Sequence, residues 1–133
     1  AQLRTLGVQC ELADTIDPHW LSRAMPKGCH VLVTYPPAAE LDAALSDVAR
    51  ERDARVVYIS STAVYGAVKG RVDEHTPTHP NEARGERRLQ AEEQWCAATR
   101  CVVLRAPAIY GPGRGLHLRI ARGEHQLPDG GDN

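Results

Sequence analysis

Three hydroxyls in a row, Ser60, Ser61 and Thr62, follow directly on the apolar run Val56, Val57, Tyr58 and Ile59. The β-branched and aromatic bias of that run, with no charge to solvate either face, predicts a buried central strand. Hydroxyls at its end would stand where open parallel sheets bind ligands, in the crevice beyond the carboxyl ends of the strands. There a hydroxyl can donate to a carbonyl or accept from an alcohol, stabilising developing charge without itself ionising. It can equally well satisfy backbone groups at the strand end. A second pair, Arg84 and Arg88, lies four apart in the run RGERR, so a helix brings both guanidinium groups to one face. Arginine stays protonated at neutral pH and cannot shuttle protons, which leaves anion binding or plain solvation as its uses. His75 and His79 are also four apart, but among Thr and Pro residues without further ligands, and the four cysteines form no CxxC pair. No metal site is expected, and the thiols read as small buried hydrophobes.

The elements that must position these groups follow from periodicity and turn chemistry. Ala1 to Leu6, closed by Gly7, reads as the end of a helix, and Val8, Cys10 and Leu12 alternate as a short strand. Asp17 before Pro18 is a helix start, with Trp20, Leu21 and Ala24 as its apolar stripe and a stop near Pro26. Val31 to Val33 form a second buried strand, ended by Thr34, Tyr35, Pro36 and Pro37. Leu41, Ala44, Leu45, Val48 and Ala49 hold helical spacing from Ala38 to about Arg52, leading into the VVYISS strand. Ala67 to Asn81 carries too much turn chemistry for a regular element. A charged helix from about Glu82 to Ala98, packing through Leu89, Ala91, Trp95 and Cys96, precedes the strand CVVLRA and the turn GPGRG. Alternating strands and helices predict an α/β fold, a doubly wound parallel sheet with flanking helices.

At 133 residues, 42% hydrophobic and 25% charged, the chain has the balance of one soluble globular domain. A net charge of -1 gives no electrostatic case for nucleic acid or an anionic membrane, and there is neither an apolar run of membrane length nor a signal-peptide layout. A cytoplasmic protein is expected.

The ordered series ISSTAVYG, VDEHTP, RLQAEE and VLRAPAIYGPGRG resembles the NAD(P)-dependent epimerase/dehydratase group of extended and atypical short-chain dehydrogenases/reductases. The resemblance implies a Rossmann-like fold, NAD or NADP as cofactor, a small-molecule substrate and, in the full-length protein, a homodimer as one option. It implies that Ser61 hydrogen-bonds the reacting oxygen, and that Arg84 and Arg88 stand at the positions of the family's catalytic tyrosine and lysine, keeping their place but not their chemistry. On the cofactor side it implies Asp14 and Thr15 at the adenine, although Asp14 serves as well for a helix cap. Thr34, Tyr35, Pro36 and Ser60 are expected near the ribose and pyrophosphate, and Pro107, Ala108 and Ile109 beside the nicotinamide. Thr62 and Ala63 replace the acidic pair of the dehydratases, and Ala108 replaces a frequent substrate-binding asparagine. No glycine-rich dinucleotide turn occurs in the sequence; the resemblance places it upstream of Ala1, so residues 1–133 are expected to be a partial Rossmann domain without that turn and without the C-terminal substrate region. The expected function is an oxidoreductase or epimerase acting on a carbonyl, alcohol or sugar-nucleotide substrate. The alternative is a non-catalytic dinucleotide-binding sensor or scaffold.

Overall fold

A computed structural model describes residues 5–8 and 17–124. The strand expected over Val8 to Leu12 and the residues Asp14 and Thr15 therefore lie essentially outside the described residues. Helix α1 (Pro18–Ala24) starts where the Asp17 carboxyl accepts the backbone N–H groups of His19, at 2.9 Å, and Trp20, at 3.3 Å, two of the donors a helix start leaves without partners. Strand β1 (His30–Val33) ends just ahead of the two prolines, and α2 (Ala39–Glu51) carries Glu40 and Asp42 in its first turn and Arg50 in its last, positions that match the helix dipole. Strand β2 (Arg55–Ser61) runs into a 3₁₀ turn (Thr62–Tyr65); α3 (Ala83–Ala98), β3 (Arg100–Ala106) and the short α4 (Leu116–Ala121) complete the order. Among the described residues, no helix is long and apolar enough to cross a membrane.

The three strands are parallel in the order β1-β2-β3, with Val31 beside Val56 and Val56 beside Cys101. This is a partial Rossmann-like α/β sheet with flanking helices. Because the chain advances across the sheet in one direction, crossovers of the same hand put α2 and α3 on the same face. The register separates the two faces. Val33, Val56 and Tyr58 point at the helices and are buried with Leu45, Ala49, Ala91 and Trp95 in one core. Leu32, Val102 and Leu104 point the other way and are 63%, 58% and 49% exposed. The apolar strands had predicted burial on both sides; among the described residues only one side is covered. Cys96, expected to pack inward, is exposed as well.

A buried acid, Asp42, stands beside this core. Asp42 is 1% exposed, and its carboxyl oxygens accept from the Tyr35 hydroxyl at 2.7 Å, Trp95 Nε1 at 3.0 Å and the Ala38 N–H at 2.8 Å. Burial first, and then the bond to Asp42, push the Tyr35 phenol far above its usual range, so it remains a donor. The hub ties the end of β1, the start of α2 and the last turns of α3 together. Asp42→Ala leaves the buried Trp95 indole, the half-buried Tyr35 hydroxyl and the Ala38 N–H without their acceptor and should cost on the order of 3 kcal/mol in urea unfolding; a loss well under 1 kcal/mol would show that water replaces the carboxyl.

On the helix-covered face, burial, assisted by a hydrogen bond with Cys96, pushes the Cys101 thiol from 9.0 up to about 12. The folded state thus holds this proton more tightly than the unfolded chain, and stability falls as pH rises between those two values. Thermal unfolding followed from pH 8 upward should drop less steeply for Cys101→Ala than for the natural chain; parallel curves would remove the thiol as a contributor.

Candidate active site

The carboxyl ends of all three strands open into one groove of about 590 Å³, a normal size for a small-molecule site. Thr34 follows β1, Ser60 and Ser61 end β2, and Pro107, Ala108 and Ile109 follow β3; all of them line it. The 3₁₀ turn contributes Thr62 and Ala63, α3 contributes Arg84 and Arg88, and the GPGRG turn adds Arg114. The residues brought together are therefore those expected from β2, β3 and the RGERR run. Of the residues expected near the cofactor from the end of β1, Tyr35 and Pro36 are not among the described lining residues; the Tyr35 hydroxyl donates to the buried Asp42 instead.

Ser61 satisfies a backbone group at the strand end. Its Oγ accepts the Ala63 N–H at 3.2 Å, capping the 3₁₀ turn. Among the described residues its own hydrogen has no protein acceptor, so it is available to an oxygen in the groove. The accepted N–H bond holds Oγ in place, and the hydroxyl hydrogen can rotate to an acceptor. Ser60 points to the opposite face of β2 and is 4% exposed; its hydroxyl hydrogen-bonds Glu92 Oε1.

Glu92 and Arg105 were absent from the expected site and support it from below. Glu92, 4% exposed, receives Arg105 Nε at 3.2 Å on both oxygens and Nη2 at 2.8 Å on Oε2. Arg105 Nη1 donates to the Tyr65 hydroxyl at 3.0 Å with its guanidinium over the Tyr65 ring at 5.0 Å, and that hydroxyl donates to the Asp73 carbonyl at 3.1 Å. The hydrogen bonds to Glu92 hold Arg105 charged well beyond its ordinary value. One carboxyl thus fixes the tips of β2 and β3 against α3 and, through Tyr65, anchors the long loop. The bidentate pairing leaves little geometric freedom.

The two helix arginines differ. Arg88 Nη1 donates to the Ile59 carbonyl at 3.0 Å and to the Tyr58 hydroxyl at 3.3 Å. Burial raises the Tyr58 phenol above its usual range, and Arg88 opposes that shift. Arg84 is exposed, and among the described residues it has no ion-pair partner. What brings it to the groove is its neighbour Gly85: a Cβ there would stand 2.6 Å from the Ala63 carbonyl oxygen and 2.9 Å from Pro80 Cβ. Only a glycine lets α3 lie this close to the turn that carries Ser61. A lone glycine inside a helical pattern was the available signal for such an approach. Gly85→Ala gains about 1 kcal/mol of helix propensity, but the opposing atom is backbone and must shift, at about 1–3 kcal/mol. The variant should unfold at lower denaturant than the natural chain; a rise in its midpoint would mean that α3 can stand off.

The profile of the NAD dependent epimerase/dehydratase family matches residues 34–125. Among solved structures, the chain is similar to a functionally unknown conserved protein from Silicibacter pomeroyi DSS, with 40% identity over 77% of this chain and 37% of that one and a TM-score of 0.60. It is also similar in fold to a dTDP-4-dehydrorhamnose reductase from Clostridium acetobutylicum ATCC 824, with 21% identity over 80% of this chain and 44% of that one and a TM-score of 0.65. A third, MoeE5 in complex with UDP-glucose and NAD, shares 29% identity over 61% of this chain and 30% of that one, with a TM-score of 0.51. The chain spans less than half the length of each of the three. No curated protein matches it.

Proposed function

The chain belongs to the NAD dependent epimerase/dehydratase family, and from that premise we propose that its groove is the nicotinamide end of an NAD(P)-dependent oxidoreductase or epimerase site acting on a carbonyl or alcohol. The observation that carries this reading is the convergence of Ser61, Arg84 and Arg88 on one strand-end groove that also holds Pro107, Ala108 and Ile109. The donor set fits such a cofactor: hydroxyls and guanidinium groups face a groove whose described lining residues include no carboxyl group, and an electron-rich dinucleotide offers acceptors to both. Thr34 and the segment 107–109 would hold it, and when bound it supplies a hydride donor or acceptor.

The chain's own residues would do the rest. Ser61, held through its Oγ by the Ala63 N–H, donates its free hydrogen to the reacting oxygen as charge develops there. Arg88, braced by the Ile59 carbonyl and the Tyr58 hydroxyl, places a fixed positive charge beside that oxygen. Ile59, Ala106 and Ile109 give the groove an apolar side. The similarity to MoeE5, solved with UDP-glucose and NAD, supports a sugar-nucleotide as one substrate class. A specific observation favours a second reading, a non-catalytic dinucleotide-binding protein: the described lining residues include no His, Cys, Tyr, Lys or carboxyl side chain to serve as a proton shuttle.

Turnover decides between the two. With NADH or NADPH binding established by fluorescence, Ser61→Ala should lower kcat/KM on a carbonyl or sugar-nucleotide substrate by about 10²–10³ while leaving cofactor affinity near its starting value. Cofactor binding without turnover on any member of such a panel, or turnover indifferent to Ser61→Ala, would leave the second reading standing.

A further inference from the structure

The GPGRG turn has no part in the reading above, yet it delivers a third arginine to the groove. Gly111 and Arg114 exchange backbone hydrogen bonds of 2.9 and 3.0 Å, closing the turn. Gly113 has φ +70°, and at Gly115, with φ +143°, a Cβ would meet the His117 ring at 2.7 Å and the Tyr110 ring at 2.8 Å. The main chain at Arg114 is thus held by the paired hydrogen bonds of the turn. Arg84 is pinned likewise, through Gly85 against the Ala63 carbonyl. Both side chains are exposed, both line the groove, and among the described residues neither has an ion-pair partner. Arg88 and Arg105, by contrast, are spent on the protein itself.

We propose that Arg84 and Arg114 form a clamp that takes a phosphoryl group of the bound ligand. Two guanidinium forks on anchored backbone lose less freedom on binding than two on mobile loops. Among the described residues no carboxyl group lines the groove to compete for them, and the apolar segment 107–109 between strand and turn concentrates the field of the charges. A phosphoryl group matches the planar, paired donors of arginine. This deepens the reading of the groove as a ligand site and rests on it. The phosphoryl group has two sources with the same chemistry, the pyrophosphate of a dinucleotide and that of a nucleotide-type substrate.

The test uses inorganic pyrophosphate, titrated into the whole chain by calorimetry, into Arg84→Gln, Arg114→Gln and the double variant, with thermal unfolding as a control on folding. Each single substitution should weaken binding about tenfold to a hundredfold, the worth of a charge-assisted hydrogen bond, and binding should weaken as salt rises. NADH, followed by fluorescence, and UDP-glucose, followed by calorimetry, are then titrated into the same proteins. A loss with NADH assigns the clamp to the cofactor, and a loss confined to UDP-glucose assigns it to the substrate; either supports the clamp. Pyrophosphate affinity in the double variant within a factor of about two of the natural chain, or no saturable binding to the natural chain below about 10 mM, overturns it. Arginine-dependent pyrophosphate binding in a chain that never binds NADH would keep the clamp and discard the dinucleotide reading.

Discussion

The site depends on one buried carboxyl. Glu92 sits where the tips of β2 and β3 meet α3, takes three nitrogen contacts from Arg105, and is hydrogen-bonded by Ser60. Taking an acid and a guanidinium out of water is costly unless further hydrogen bonds support the pair, and here Arg105 Nη1 donates to Tyr65, whose hydroxyl passes on to the Asp73 carbonyl. Replacing such a pair with apolar groups can be neutral for stability. What the apolar version could not do is hold two strand ends, a helix and a loop in a single arrangement, because dispersion contacts lack direction while a bidentate ion pair has it.

Directional support matters because the catalytic candidate sits one residue further on. Consecutive strand residues face opposite sides of a sheet, so the hydroxyl at Ser60 is locked downward and the hydroxyl at Ser61 is turned up into the groove. The same alternation separates structural polar groups from chemical ones throughout this end of the molecule. Arg105 and Ser60 work below the sheet; Ser61 and Arg84 work above or beside it. Gly85 completes the arrangement by letting α3 touch the turn after β2, which puts cations within the same groove as the hydroxyl.

A division of labour among arginines follows from burial. Arg105 is shielded and paired with an acid, Arg88 is half-buried and spends its donors on a carbonyl and a phenol, and Arg84 and Arg114 are exposed with their forks uncommitted among the described residues. Screening by water makes an exposed cation a weak contributor to folding. The same exposure makes it available to a ligand.

Element types and order were legible from local signals alone: the capped start at Asp17 and Pro18, the helical spacing from Leu41 to Ala49, and the β-branched runs at Val31, Val56 and Cys101 each specify their conformation within a few residues. The hydroxyls at Ser60 to Thr62 and the arginine pair at Arg84 and Arg88 were legible as chemistry for the same reason, since residue type and spacing along one element say what a face can offer. Tertiary structure alone decided which groups meet. That Tyr35 turns away to Asp42, that Glu92 finds Arg105, and that Arg114 reaches the groove of Ser61 depend on contacts between residues far apart in the chain, and such contacts are set by packing and desolvation rather than by local propensity. The apolar outer face of the sheet teaches the same lesson: composition makes Leu32, Val102 and Leu104 fit to be buried, but the direction in which successive strands are added decides which face the helices cover.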